Sequence, residues 1–107
     1  MLSREIANRI KWVVEQLFYK NYQMVYDQDV EKRLSVEEIK YAFESYPGVF
    51  TLPPEERYLL FDDYDEPESL QNFVEFDLWY DDSVSDLTLS LTIGPEDEYS
   101  IEDIHVL

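Results

Sequence analysis

The stretch Asn72–Ile93, Asn-Phe-Val-Glu-Phe-Asp-Leu-Trp-Tyr-Asp-Asp-Ser-Val-Ser-Asp-Leu-Thr-Leu-Ser-Leu-Thr-Ile, repeats with a period of two. Val74, Phe76, Leu78 and Tyr80 alternate with Phe73, Glu75, Asp77 and Trp79. Leu87, Leu89, Leu91 and Ile93 alternate with Asp86, Thr88, Ser90 and Thr92. Successive side chains of a strand point to opposite faces, so each run buries one face and offers the other to solvent. Two such runs in close succession predict an antiparallel pair. A loop of Asp81, Asp82, Ser83 and Val84 sets Tyr80 opposite Ser85 and Leu78 opposite Leu87. Paired residues must share a face, so Trp79 then meets Asp86, Asp77 meets Thr88 and Glu75 meets Ser90 on the outer side.

Downstream, Gly94-Pro95 opens a turn, and a last strand is expected from about Tyr99 to Val106. Ile104 and Val106 are expected in the core, which sends Asp103 and His105 outward, toward Thr88 and Asp77. Upstream the period is helical. Ile6, Ile10, Val13, Val14, Leu17 and Phe18 form one stripe, with Ser3 placed to cap it and Glu5 in the first turn. Ser35-Val36-Glu37-Glu38 reads as a capping box opening a second helix whose apolar face is Ile39, Ala42, Phe43 and Tyr46. Pro47-Gly48 ends it. Tyr22 to Val30 reads as a short helical turn, Tyr58 to Phe61 as a short strand, and Asp62 to Glu68 as a charged loop. The expectation is one α+β domain over residues 1–107. Residues 1–48 are mainly helical and pack on one face of an antiparallel sheet of three to four strands from residues 49–107.

The charges are divided along the chain. The eight Lys and Arg residues all lie at or before Arg57, where ten Asp and Glu nearly balance them; from Tyr58 onward there are 15 Asp and Glu and no base. A formal charge of −17 disfavours nucleic acid and anionic membrane surfaces as ligands and favours a cationic partner. Aromatic content of 16% argues against an acidic disordered segment. No cysteine is present, so thiolate metal sites and disulfides are excluded. The N-terminal residues do not read as a signal peptide, and no apolar run approaches a membrane span, so a cytoplasmic location is expected.

Few residues suggest chemistry. Asp62-Asp63-Tyr64-Asp65-Glu66 is rich in hard oxygen ligands, but counted from Asp63 the EF-hand glycine position falls on Glu68 and the closing glutamate position on Val74. His105 is the sole histidine, and one histidine without cysteine does not make a zinc site. Beside Asp77 or Asp103 it could act as a general base. Gly48 and Gly94 are the only glycines, so there is no phosphate-binding loop, and no nucleophile elbow accompanies the histidine. No cofactor or metal is expected.

Three stretches carry a resemblance: Phe76-Asp77-Leu78-Trp79, Ser85-Asp86-Leu87-Thr88-Leu89-Ser90-Leu91-Thr92 and Ile101-Glu102-Asp103-Ile104-His105-Val106-Leu107. With a first helix like Ile6 to Phe18 and a capped second helix from Leu34 to Glu38, the chain resembles a family of small uncharacterised bacterial domains. That family supplies no catalytic residues to carry over. In size and acidity the chain also resembles, as a class, immunity proteins of bacterial toxin systems such as contact-dependent growth inhibition. This second likeness implies a cytoplasmic protein that binds and neutralises a cognate toxin, plausibly a basic nuclease domain.

The contact residues expected on that reading are Asp62, Asp63, Asp65, Glu66 and Glu68 of the loop, Glu75, Asp77 and Trp79 of the first strand, and Asp81, Asp82 and Asp86 around the hairpin tip. Trp is a favoured anchor and the acids would steer a cationic partner. Two alternatives stand beside it. One is a small cone-shaped α+β ligand-binding domain or enzyme using His105, Asp77 and Tyr80. The other is an acidic adaptor subunit whose basic partner is not a toxin.

Overall fold

The computed structural model describes residues 3–63 and 71–106. Three helices come first: α1 (Ser3–Phe18), α2 (Tyr22–Gln28) and α3 (Val36–Glu44). An antiparallel sheet follows, made of β1 (Phe50–Thr51), β2 (Asp62–Asp63), β3 (Asn72–Tyr80), β4 (Ser83–Ile93) and β5 (Tyr99–Val106). The strand order is β1-β3-β4-β5, with β2 also paired to β3. The class is α+β, as the pattern change at Asn72 predicts.

The helices cover one face of the sheet. α1 buries Ile6, Ala7, Ile10, Val13, Val14 and Leu17. Against it lie Val74, Phe76 and Leu78 from β3 and Leu87, Leu89, Leu91 and Ile93 from β4. Each fully buried aliphatic side chain contributes about 1.5–3 kcal/mol relative to exposure. The Ser35–Glu38 capping box is formed: the Glu38 N–H donates to the Ser35 hydroxyl at 3.1 Å, and the Ser35 N–H donates to the Glu38 carboxylate at 3.0 Å. Ser3 lies inside α1 rather than ahead of it.

Two expectations about local structure are corrected. Tyr58 to Phe61 is not a strand: Glu55–Leu59 is a 3₁₀ turn, while the short strands flanking it are β1 and β2. Pro53-Pro54 explains the difference, because a second proline ahead of Glu55 starts a helical turn easily but cannot donate to a ladder. The turn straddles the edge of β3. Tyr58 stacks on inward-facing Phe76, and Arg57 lies 5.3 Å from the ring centre of outward-facing Trp79.

The hairpin register is the second correction. Asp77 pairs with Thr88 and Glu75 with Ser90, as expected, but Trp79 pairs with Val84 and Tyr80 with Ser83. The connection is therefore Asp81-Asp82 alone, both with positive φ (52° and 59°), the backbone of a two-residue hairpin turn. Shortening the loop leaves Ser85, Asp86 and Leu87 facing Leu78, and they form a bulge. The Ser85 hydroxyl stands in for a ladder group, donating to the Leu78 carbonyl at 2.7 Å and accepting the Leu87 N–H at 3.2 Å. The shift is an even number of residues, so the core faces are unchanged.

A second bulge changes phase. Ser90 pairs with Asp103, but Leu91 pairs with Ile101, leaving Glu102 as the extra residue. Odd-numbered Tyr99 and Ile101 and even-numbered Ile104 thereby all turn toward the core side. Val106, expected in the core, is instead 57% exposed.

The first residues of β5 are tied to the end of α2. Asp29 is buried, and its carboxylate accepts the N–H groups of Ile101 (2.8 Å), Lys32 (2.9 Å) and Glu31 (3.1 Å). The Val30 N–H donates to the Tyr99 carbonyl at 2.9 Å, and the Tyr99 hydroxyl donates to the Val25 carbonyl at 2.5 Å. No helix among the described residues is long and apolar enough to cross a membrane.

Candidate functional site

The sheet face away from the helices carries the polar side chains of β3, β4 and β5 in cross-strand rows. One row runs Asp62, Glu75, Ser90, Asp103 across β2, β3, β4 and β5; the next runs Asp77, Thr88, His105. Neighbours in such a row have Cβ atoms about 4.5–5.5 Å apart. Asp62 and Glu75 are therefore two carboxylates set directly opposite each other, an arrangement that is ordinarily destabilising.

The hydroxyls of the central strand form the floor. Thr88 and Ser90 are as inaccessible as the leucines beside them, at 0% and 2% exposure. They are walled in by longer neighbours and hydrogen-bonded to them. Ser90 donates to Glu75 at 3.2 Å, Thr88 reaches Asp77 at 3.4 Å, and Thr92 donates to Glu102 at 2.5 Å. His105 lies among these acids, with Nε2 3.5 Å from Glu75 and Nδ1 3.3 Å from Asp103, although Nδ1 is not angled to make a hydrogen bond.

The expected contact residues do not form one surface. Glu75, Asp77 and Asp62 share the open face with His105 and Asp103. Asp63, opposite inward-facing Val74, is exposed on the other face of the sheet edge and takes a long contact from the Asn72 amide at 3.4 Å. Trp79 is half-buried with Arg57 against its ring, so this aromatic is already occupied by a cation of its own chain. Asp81 accepts the Val49 N–H at 3.0 Å, and the Asp82 N–H donates to Thr51 at 3.0 Å, which fastens the hairpin tip to the segment entering β1. Asp86 sits in the bulge and accepts the Tyr46 hydroxyl; that bond raises the phenol above its ordinary pKa. Because Tyr46 packs on Tyr80, Asp86 belongs to the helix side and not beside Trp79. Asp65, Glu66 and Glu68 lie outside the described residues.

The alternative constellation of His105, Asp77 and Tyr80 does not converge. Tyr80 points into the core, where its hydroxyl donates to the Phe43 carbonyl at 2.8 Å and burial raises its pKa. His105 and Asp77 lie on the opposite face, separated by Thr88.

Three of the basic side chains, Arg9, Lys11 and Arg33, form ion pairs among the described residues, none of them with the expected contact residues. Arg9 pairs with Asp97 at 2.7 Å, Lys11 with Glu55 at 2.6 Å, and Arg33 with Glu31 (2.5 Å) and Glu102 (2.8 Å). Among the described residues no Lys or Arg forms an ion pair with Asp62, Asp63, Glu75, Asp77, Asp81, Asp82, Asp86 or Asp103.

One feature escaped sequence reasoning altogether. A groove of about 710 Å³ opens between α3 and the outer edge of β5, lined by Leu34, Tyr41, Tyr46, Leu87, Ile104 and Val106 among others. Tyr41 lies off the apolar stripe of α3 and is 73% exposed, which is the one signal the sequence offered.

A family model described as "Domain of unknown function (DUF7668)" matches residues 14–107. No curated protein and no solved structure matches the chain.

Proposed function

The chain belongs to the DUF7668 family, and from that premise we propose that it is an acidic binding protein of the immunity type, which captures and neutralises a basic toxin domain. The observation that carries the reading is the pairing of Asp62 directly opposite Glu75, with no Lys or Arg among the described residues in an ion pair with either and with His105 3.5 Å from Glu75 as the neighbouring base. Like charges in register cost stability, and a partner that brings Lys or Arg to the row would recover it. The same face adds Asp77 and Asp103 on a rigid sheet, so little ordering entropy is lost on contact. Carboxylates held in rows suit a nuclease in particular, because its active site is built to accept phosphates.

The test is co-expression with the product of the adjoining open reading frame. A neighbour that is toxic alone, tolerated together, and bound one to one supports the reading; a neighbour neither toxic nor bound removes it. With the complex in hand, the association rate should fall severalfold between low and physiological salt, and the pair Glu75→Gln and Asp77→Asn should slow it by about tenfold at low salt. A rate indifferent to both would dispose of the electrostatic argument.

A further inference from the structure

The outer edge of β5 is covered only at its start. Asp29 and Val30 bind the backbone at Tyr99 and Ile101, and beyond the bulge no described strand pairs with that edge from Glu102 to Val106. The Ile104 N–H points away from β4 and donates to its neighbour's carboxylate, Asp103, at 2.9 Å. A backbone donor held by a flexible side chain is one that an incoming strand can take over. The apolar groove runs beside this same edge, with Tyr41 and Val106 exposed in it and Glu37, Glu38 and Asp103 on its rim.

We infer that β5 and this groove receive an extended, cationic segment of a partner protein, which adds as a further strand. Main-chain bonds to the edge would supply affinity; alternate apolar side chains would enter the groove beside Ile104, and Lys or Arg on the segment would meet Glu37, Glu38 and Asp103. The charge selects the occupant. A second copy of this chain would bring another Asp103, Glu37 and Glu38 against the first set, which repels, and charged edge residues serve to prevent such pairing. A cationic strand meets Asp103 on the edge and Glu37 and Glu38 across the groove, while Glu102 is already paired with Arg33. The site also adjoins the carboxylate rows, since Asp103 and His105 belong to both. The inference rests on the proposed function only for the sign of the partner's charge.

The experiment pans the folded chain at low salt against displayed random linear peptides about as long as the eight-residue β5. Enriched sequences should alternate apolar and basic residues. Synthetic versions should shift the backbone amide resonances of residues 102–106, lose about tenfold in affinity when alternate peptide amides are N-methylated, and lose as much against Tyr41→Glu or Val106→Glu. Both variants alter exposed side chains, so the fold should survive, and N-methylation leaves the protein untouched. Basic peptides that instead shift only residues 75, 77 and 88 would overturn the strand addition and leave the proposed function standing. Peptides that bind the β5 edge without basic residues would uphold the edge and remove the cationic partner. Enrichment of nothing, or indifference to N-methylation, overturns the inference.

Discussion

The two faces of the sheet are equally inaccessible along β4 and are built by opposite means. Leu89 and Leu91 are buried by the helices, while Thr88 and Ser90 are buried by the acids and the histidine of the strands beside them. On the first face burial removes apolar surface from water and stabilises. On the second it costs hydration that hydrogen bonds only replace, and it crowds like charges together. Inaccessibility by itself therefore says nothing about stabilisation. One face holds the fold, and the other is held by it.

The largest effect expected of this contrast is alkaline unfolding. Tyr58, Tyr80 and Tyr99 are buried on the helix side, and desolvation raises all three above the ordinary phenol value of about 10. A raised acid contributes stability that is fully present below the unfolded pKa and is lost as pH rises from there through the folded pKa. Thermal melts should hold steady up to about pH 10 and then fall steeply, with the phenolates of Tyr58, Tyr80 and Tyr99 appearing at unfolding. Phenolate formation at Tyr58, Tyr80 or Tyr99 in the folded protein near pH 10, followed by ring resonances, would contradict the burial.

Next comes Leu89→Ala, which leaves a cavity in the core and should cost about 2–5 kcal/mol in denaturant unfolding. Asp29→Ala strands the backbone donors of Ile101 and Lys32, while the Glu31 N–H keeps the Ser100 hydroxyl at 2.9 Å, and should cost about 3 kcal/mol. Thr88→Val, equal in burial to Leu89 but on the open face, should change stability by less than about 1 kcal/mol, since its one contact is long. If Thr88→Val and Leu89→Ala cost the same, the contrast between the faces fails. Smallest of all, Asp62→Asn should stabilise by about 0.5 kcal/mol at low salt, and the gain should fade as salt screens Glu75. A loss of stability at low salt would show that the Asp62–Glu75 pair is not the frustrated one.

The sequence made the sheet legible because period two survives the errors of loop length. Moving the hairpin turn from four residues to two changed the partner of Trp79 and left every core residue in place. The rows at Glu75 and Asp77 kept their expected partners because the bulge at Ser85–Leu87 takes up the two residues the turn gave up. The bulge at Glu102 left a trace as well: apolar residues switch from odd Tyr99 and Ile101 to even Ile104, a phase change that only an extra residue can reconcile. What the sequence could not convey was tertiary. Arg57 covers Trp79, Tyr46 draws Asp86 to the helix side, and α3 stops short of covering β5. Each depends on where a distant segment lands. Asp29 is the extreme case, since nothing local marks an aspartate after a helix as the acceptor for a strand 72 residues away.

That clasp has a kinetic side. The β3–β4 hairpin closes over two residues, whereas the Asp29 carboxylate meets Ile101 only after a further 72 residues have been synthesised. The entropy of closing so long a loop is recovered last, when most other contacts already hold its ends near each other. Until then the end of α2 carries a carboxylate without its strand and β5 lacks its cover. The final residues of the family domain thus decide when the first ones settle, and shortening the chain by one strand would leave its beginning unfinished as well as its end.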